Sequence, residues 1–149
     1  FACPIWKGDY PKSMRQQCGD RLPRFTETEK RQLKGTSDFL GLNYYSTCYI
    51  KHKTESEGES YTDDIRKQDM VDKRWQKTHL DWSIVPWGLR RLCKHIQDEY
   101  SPRNGIIITE NGSAWPEDDD AEQACGDSKR IEYLHQHLAQ LHGAIQDGA

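Results

Sequence analysis

Two short, mostly apolar runs stand out against a polar background and predict β-strands. The first covers residues 39–45 (Phe-Leu-Gly-Leu-Asn-Tyr-Tyr), and the second covers residues 106–109 (Ile-Ile-Ile-Thr). Short runs that are rich in β-branched and aromatic residues and end in polar groups are typical of buried strands. Gly41 lies inside the first run, and a glycine there predicts that another part of the chain comes close to the backbone.

The spacing of apolar residues predicts three helices around these strands. Residues 26–29 (Thr-Glu-Thr-Glu) have the pattern of a capping box, which predicts a short helix that stops near Gly35. Pro86 suits the first turn of the next helix, which keeps apolar residues at helical spacing as far as Tyr100. The last helix is expected to end at Gly148 and to bury an apolar stripe formed by Ile131, Leu134, Leu138, Leu141 and Ile145.

The remaining segments are polar and predict loops. Residues 1–25 combine proline, glycine and charge, which favours irregular structure, and residues 51–79 favour a long loop. The acidic run at residues 117–120 is interpreted as a solvated loop. Calcium loops need alternating ligands, a glycine and a terminal glutamate, and this run has no such pattern.

The predicted order is helix, strand, long loop, helix, strand, loop, helix, and this alternation favours a parallel β/α architecture. Two parallel strands cannot bury themselves, because such sheets need helices on both faces or closure into a barrel. We therefore predict an α/β fold, a partial (β/α)8 TIM barrel with about two strand–helix units and long loops. A complete barrel needs about 250 residues. Residues 1–149 are accordingly expected to be the carboxyl-side segment of a single barrel domain.

Composition narrows the class of function. The net charge of -3 gives no electrostatic reason to expect nucleic acid or an anionic membrane as partner. No apolar run approaches the roughly 20 residues that span a bilayer. The amino terminus has no signal-peptide pattern, and the compartment stays open. The five cysteines lack metal-ligand spacing and favour unpaired thiols. No cofactor and no metal are expected.

The polar ends of the two strands are the candidate site. Glu110 and Asn111 end the second strand at an Asn-Gly turn, and Asn43 and Tyr45 end the first. Barrel folds keep their chemistry at the carboxyl ends of the strands. A tyrosine hydroxyl that donates to a carboxylate favours its ionised form and aligns it for attack. We predict Glu110 as a nucleophile or general acid/base near Tyr45. The alternative is a solvated turn glutamate and packed strand tyrosines.

Asn111 also begins a formal glycosylation sequon, Asn-Gly-Ser. We discount it, because a glycan there would block the mouth of the proposed site.

The chain resembles the family 1 glycoside hydrolases, the β-glucosidases and their relatives, through five motifs in the family's order. These are residues 8–25 before barrel strand six, 38–46 as strand six, 82–89 before helix six, 108–112 as the nucleophile motif of strand seven, and 127–138 as the following helix. The resemblance implies that Glu110 is the catalytic nucleophile and that Tyr45 is hydrogen-bonded to it. It also implies that Asn43 lies in the glycone region. Trp82 is then part of the leaving-group wall, the alternative being a core tryptophan.

The resemblance further implies hydrolysis of β-O-glycosidic bonds by a retaining double displacement, with a β-glycoside or oligosaccharide as substrate. Two motifs of the family are missing from the chain: the Asn-Glu-Pro sequence that carries the acid/base glutamate, and the tryptophan-rich segment of strand eight. We therefore expect an incomplete chain that is weakly active or inactive alone, and that self-associates or pairs with the missing barrel segments. The alternative is a klotho-like, non-catalytic binding ectodomain of the same fold.

Overall fold

The computed structural model describes residues 2–55, 58, 60–116 and 124–149, so the acidic run at residues 117–120 lies outside the described residues. The chain forms two compact units. The first unit comprises residues 1–38 and 49–70, and the second unit comprises residues 39–48 and 71–149. Both predicted strands and the last two predicted helices belong to the second unit.

The second unit contains a pair of parallel strands, β1 (Leu40–Asn43) and β4 (Ile106–Glu110), which confirms both predicted strands. The register shifts after Leu42, so that Asn43 pairs with Glu110 and Thr109 is the extra residue of a bulge. A Cβ at Gly41 would lie 3.3 Å from Thr109 Cγ2, which confirms the predicted close contact. The bulge aligns the ends of the strands and brings Asn43 opposite Glu110.

Two helices cover one face of this strand pair, α5 (Pro86–Tyr100) and α6 (Ser128–Gln146). Pro86 stands at the start of α5, as predicted. The apolar core joins both helices to β1 and β4, and it consists of buried residues Tyr44, Leu89, Cys93 and Ala144 with Leu42, Ile106 and Ile108 packed against them. Burial of this surface fixes the strand ends relative to the helices.

The prediction for the buried face of α6 is wrong. The stripe residues Ile131, Leu134, Leu138 and Ile145 are 42 % to 64 % exposed, and of the stripe only Leu141 packs on the core. The buried face instead presents Tyr133, His137, Gly143 and Ala144. Periodicity missed this face because two aromatic residues with polar atoms and two small residues score low in hydrophobicity. Tyr133 and His137 nevertheless contact the tyrosines that follow β1, and Gly143 packs on Arg90 of α5.

The end of α6 follows the sequence prediction. Gly148 has a φ of 85°, and its N–H donates to the carbonyl of Ile145 at 3.0 Å. The N–H of Ala149 donates to the carbonyl of Ala144 at 3.0 Å. These two bonds form a Schellman motif, which needs a left-handed residue such as glycine after the helix.

The first unit contains α1 (Ala2–Lys7), α2 (Lys12–Cys18), a 3-10 turn (Gly19–Arg21) and α3 (Glu27–Leu33). The capping box is confirmed, because the N–H of Thr26 donates to Glu29 Oε2 at 2.7 Å and the N–H of Glu29 donates to Thr26 Oγ1 at 3.2 Å. The prediction of irregular structure for residues 1–25 is wrong. These helices are short and bury no residue, so they leave no apolar stripe in the sequence.

The loop predicted over residues 51–79 is also partly wrong. Strands β2 (Tyr49–His52) and β3 (Lys67–Met70) pair in antiparallel fashion, and the short helix α4 (Tyr61–Asp64) lies between them in sequence. Every residue of both strands is exposed, so the alternation that marks a half-buried strand is missing. No helix in the described part of the chain is long and apolar enough to cross a membrane.

Candidate active site

The ends of β1 and β4 bring a phenol and a carboxylate together. The Tyr45 hydroxyl donates a hydrogen bond to Glu110 Oε2. Glu110 is exposed and Tyr45 is half-buried, so the carboxylate is open to a ligand while its partner is held by the protein. The hydrogen bond to Glu110 raises the pKa of the Tyr45 phenol, and partial burial and the negative charge of the carboxylate raise it further. The phenol therefore stays protonated at neutral pH and remains a donor to Glu110.

Asn43 lies beside this pair, opposite Glu110 in the strand register. The Thr109 hydroxyl donates to Asn43 Oδ1 at 2.5 Å. In this arrangement the carbonyl end of the Asn43 carboxamide faces Thr109. The amide nitrogen therefore points away from Thr109 as a donor. Thr109 was missed by the sequence analysis, because its role depends on the bulge in β4.

Trp82 is the aromatic member of the site. Its ring centroid lies 5.6 Å from that of Tyr45, with the two planes tilted by 60°. A tight turn holds it, since the N–H of Thr78 donates to the carbonyl of Trp82 at 2.9 Å and the N–H of Trp82 donates to Thr78 Oγ1 at 3.3 Å. Trp82 is 41 % exposed, so part of its indole is open. The open indole offers an apolar face to a ring-shaped ligand.

Two further residues brace the strand ends. Asn111 Nδ2 donates to the carbonyl of Tyr44 at 2.7 Å and to the Tyr133 hydroxyl at 3.2 Å, and that hydroxyl donates to the carbonyl of Tyr45 at 2.9 Å. The sequence placed Asn111 among the polar residues at the end of the second strand but gave it no role. Tyr133 was missed, because it lies off the apolar stripe of α6. Because the Asn111 amide nitrogen is engaged inside the fold, the structure gives no support to the glycosylation sequon.

The four residues singled out from the sequence thus lie in one unit and meet at one end of the strand pair. An exposed carboxylate held by a protonated phenol is suited to attack an electrophilic carbon. A carboxamide and an open indole flank it and can orient a polar ring. Within the described residues, no group of three or more histidine, cysteine, aspartate or glutamate side chains is arranged to hold a metal ion.

Comparison with known proteins agrees with this arrangement. The model of glycosyl hydrolase family 1 matches residues 1–149. Beta-glucosidase 4 of Oryza sativa subsp. japonica is 37 % identical over 98 % of this chain and 32 % of its own length. The human cytosolic beta-glucosidase is 41 % identical over 98 % of this chain and 32 % of its own length. A rice β-glucosidase solved in a covalent complex with Glc superposes with a TM-score of 0.90 and 34 % identity, covering all of this chain and 34 % of that one.

Fold and site define an α/β chain that corresponds to part of a TIM barrel with a carboxylate at a strand end. The chain belongs to glycosyl hydrolase family 1. It spans about a third of the length of the curated relatives it matches.

Proposed function

We propose that this chain supplies the nucleophile of a retaining β-glycosidase. The observation that carries the proposal is the hydrogen bond from Tyr45 to Glu110 at the ends of two neighbouring parallel strands. Membership of a family of glycoside hydrolases supports the class of reaction. The covalent complex of the rice relative with Glc supports a covalent route.

In this mechanism a Glu110 carboxylate oxygen attacks the anomeric carbon of a β-glycoside. The bond from that carbon to the leaving-group oxygen breaks, and the oxygen takes a proton from a second carboxylic acid. The glycosyl ester on Glu110 is then cleaved by water, which gives its proton back to the second carboxylate. Retention needs the two carboxyl groups about 5–5.5 Å apart. The Tyr45 hydrogen bond holds the Glu110 carboxylate aligned for the first step.

The sugar is proposed to contact Asn43 and Trp82. The Asn43 amide nitrogen, which the Thr109 bond directs away from β4, is a suitable donor to a hydroxyl of the glycone. The Trp82 indole, open beside Tyr45, is a suitable wall for the leaving group because sugar rings and aryl groups both present apolar faces. Substrates are thus β-glycosides or oligosaccharides.

Residues 1–149 are proposed to act as the carboxyl-side segment of a single barrel domain. The second carboxylic acid of the family lies in an Asn-Glu-Pro motif that this sequence does not contain. The exposed apolar residues on α6 support pairing with further barrel segments, because soluble proteins rarely leave such a stripe open. Loss of general acid assistance alone would slow the reaction about 10²–10⁴-fold, so the isolated chain is expected to be weakly active or inactive.

The test is a chimera in which this chain replaces the aligned third of the rice relative. It is incubated with 2,4-dinitrophenyl 2-deoxy-2-fluoro-β-glucoside, whose leaving group departs without an acid catalyst. The expected result is a glycosyl ester that peptide mass spectrometry locates on Glu110. Glu110→Gln should abolish it. Glu132→Gln, which changes an exposed glutamate on α6, should leave it unchanged.

Labelling at another carboxylate would overturn the assignment of Glu110. A folded chimera that binds the unreacted glucoside without forming any ester would instead support the klotho-like binding function. Activity of the isolated chain close to that of the chimera would refute the proposal that it needs further barrel segments.

A further inference from the structure

Tyr133 and Asn111 tie three chain segments together directly behind the proposed nucleophile. The Tyr133 hydroxyl, from α6, donates to the carbonyl of Tyr45 at 2.9 Å, and Asn111 Nδ2 donates to that hydroxyl at 3.2 Å and to the carbonyl of Tyr44 at 2.7 Å. We call Asn111 and Tyr133 the strand-end clamp. Asn111 is the residue after Glu110, so the clamp joins the residue next to the carboxylate to the backbone of its phenol partner.

The donors and acceptors of the clamp match one another. A tyrosine hydroxyl has one proton to donate, and here it goes to a backbone carbonyl, while the oxygen accepts from Asn111. Both N–H bonds of the Asn111 amide are used, one on a strand carbonyl and one on the phenol. Tyr133 is 2 % exposed, so breaking either bond leaves a buried polar group without its partner. Such a network has one satisfied arrangement and therefore fixes distances.

The phenol of Tyr133 stays protonated at any working pH. Burial raises its pKa, the hydrogen bond from Asn111 lowers it less, and the resulting pKa is about 12. The clamp therefore keeps its donor to the Tyr45 carbonyl across the pH range in which a glycosidase works.

The ring of Tyr133 is itself held in place. The His137 ring stacks on it with centroids 3.9 Å apart and planes 26° apart. His137 is 1 % exposed, and its Nδ1 lies 2.7 Å from the carbonyl of Tyr133 one turn earlier in α6. The clamp is thus anchored in the packed helix rather than in a mobile surface group.

We propose that Tyr133, acting through Asn111 and the backbone of Tyr45, is a positioning residue that holds the phenol of Tyr45 in contact with Glu110. Tyr45 follows β1; its side chain donates to Glu110 and its carbonyl accepts from Tyr133. The clamp therefore fixes the backbone position from which the Tyr45 side chain extends. As a statement about catalysis this rests on the proposed nucleophile. As a statement about the contact between Tyr45 and Glu110 it does not.

The first test reads that contact without any sugar. In the 149-residue chain with ¹³Cζ-labelled tyrosine, the NMR titration midpoint of Tyr45 is expected above the ordinary value of 10.0. The Tyr45 resonance is assigned by its loss in Tyr45→Phe. Tyr133→Phe keeps the ring that stacks on His137 and removes only the hydroxyl. It should move the Tyr45 midpoint down toward 10.0, because the phenol drifts from the carboxylate.

Tyr10→Phe is the matched control, because Tyr10 belongs to the first unit and its ring stacks on Phe25. It should leave the Tyr45 midpoint unchanged. Asn111→Ala breaks the clamp from the other side and should shift the midpoint in the same direction as Tyr133→Phe. If Tyr133→Phe does not fold, as judged by amide hydrogen exchange, the Asn111 variant decides the question.

The second test measures formation of the glycosyl ester in the chimera with the dinitrophenyl fluoroglucoside. A displacement of about 1 Å can cost about 10²-fold in rate. Tyr133→Phe is therefore expected to lower the limiting rate about 10–10²-fold with little change in the half-saturating concentration. The double variant with Asn111→Ala should be no slower than the slower single variant, because both break one clamp.

An unchanged Tyr45 midpoint in folded Tyr133→Phe and Asn111→Ala would overturn the positioning role. A shifted midpoint in the 149-residue chain, together with a chimera that never forms an ester on Glu110, would uphold the clamp and refute the proposed nucleophile. The two failures are thus distinguishable.

Discussion

The second unit buries whole side chains, whereas the first unit relies on charged contacts at its surface. Among the described residues, every buried hydrophobic side chain belongs to the second unit, including Tyr44, Val85, Leu89 and Tyr133. In the first unit no helix has a buried residue and both strands are fully exposed. The candidate site lies in the unit that has a packed core.

In the first unit, ion pairs between charged side chains replace the packed core. Asp9 accepts from Arg15 and lies 3.1 Å from Lys30 Nζ, and Arg21 pairs with Asp64 through two bonds of 2.7 and 2.6 Å. Partial desolvation pushes the pKa of Asp9 up, but the hydrogen bonds from Arg15 and Lys30 outweigh it and bring the pKa to about 2. Exposed ion pairs contribute little, typically about 0–1 kcal/mol each. A site that needs fixed distances is therefore better placed on the packed unit.

The largest effect on stability should come from a cavity in the core of the second unit. Leu89→Ala removes a side chain that is fully buried between α5 and β1, and it should lower the free energy of unfolding of this unit by about 2–5 kcal/mol. Leu33→Ala in the first unit, where the side chain is only half-buried, should cost clearly less. Amide hydrogen exchange, resolved along the backbone, measures the loss in the unit that carries each substitution. Equal losses for the two variants would contradict the contrast between the units.

A smaller loss of stability should follow from adding one methyl group where two parts of the second unit pack closely. A Cβ at Gly88 would meet the Tyr44 hydroxyl and would lie 2.7 Å from Thr47 Oγ1. That hydroxyl is already hydrogen-bonded to Thr47 Oγ1 at 2.6 Å and to the Val85 carbonyl at 2.7 Å. Gly88→Ala should therefore destabilise the second unit by about 1–3 kcal/mol through overpacking. Gly58→Ala is the control in the first unit, since no atom of the described residues lies within 4 Å of its Cβ position.

The same contact should be visible locally. Amide hydrogen exchange is expected to speed up around Tyr44 and the start of α5 in Gly88→Ala and to stay unchanged in Gly58→Ala. Unchanged exchange at both positions would mean that the fold accommodates the methyl group without strain.

The next effect depends on pH and comes from His137. Burial lowers the pKa of this imidazole below its usual 6.5, although the hydrogen bond to the Tyr133 carbonyl opposes the shift. Its Nε2 is buried and has no hydrogen-bond partner among the residues that the structure describes. The unfolded chain therefore binds a proton near pH 6.5 while the folded chain stays neutral. Stability of the second unit is fully present above pH 6.5 and falls as the pH drops toward the lowered folded pKa.

The slope of this loss cannot exceed about 1.4 kcal/mol per pH unit for one group. Urea unfolding between pH 7.5 and 5.5 measures it. His137→Phe keeps an aromatic ring against Tyr133 and Tyr44 and should remove the slope. A slope that survives in His137→Phe would assign the pH dependence to other groups.

The sequence predicted the parts of the fold that local chemistry controls. The capping box at Thr26, the proline start of α5, the two strands and the glycine end of α6 all depend on residues within a few positions of each other. The contact between Tyr45 and Glu110 could also be predicted from the sequence, because the carboxyl ends of neighbouring parallel strands lie at one edge of a sheet. The resemblance to a known family supplied their proposed roles.

What the sequence did not predict depends on partners far along the chain. Tyr133 was missed because its hydroxyl meets Tyr45, 88 residues earlier. Thr109 was missed because a bulge turns its hydroxyl onto Asn43, and a bulge leaves no hydrophobic pattern. The buried face of α6 was assigned to the wrong side. Gly143 lies on the true buried face, where the guanidinium of Arg90 packs so close that a Cβ at position 143 would lie 2.9 Å from it. Strands β2 and β3 were missed because neither has a buried face.

The smallest effects compare similar ion pairs in the two units. Arg21 and Asp64 in the first unit, and Arg90 and Asp147 in the second, each share two hydrogen bonds of 2.6 to 2.8 Å. Asp64→Asn and Asp147→Asn should each lower the free energy of unfolding only slightly, and 1 M salt should remove most of the difference between variant and parent. Because the charged residues of the first unit lie on helices with no buried residue, Asp64→Asn should speed up amide hydrogen exchange throughout α2 and α4. In Asp147→Asn it should stay confined to the last turn of α6, where core packing continues to hold the helix. Equal spreading in both variants would show that the two units share one source of stability.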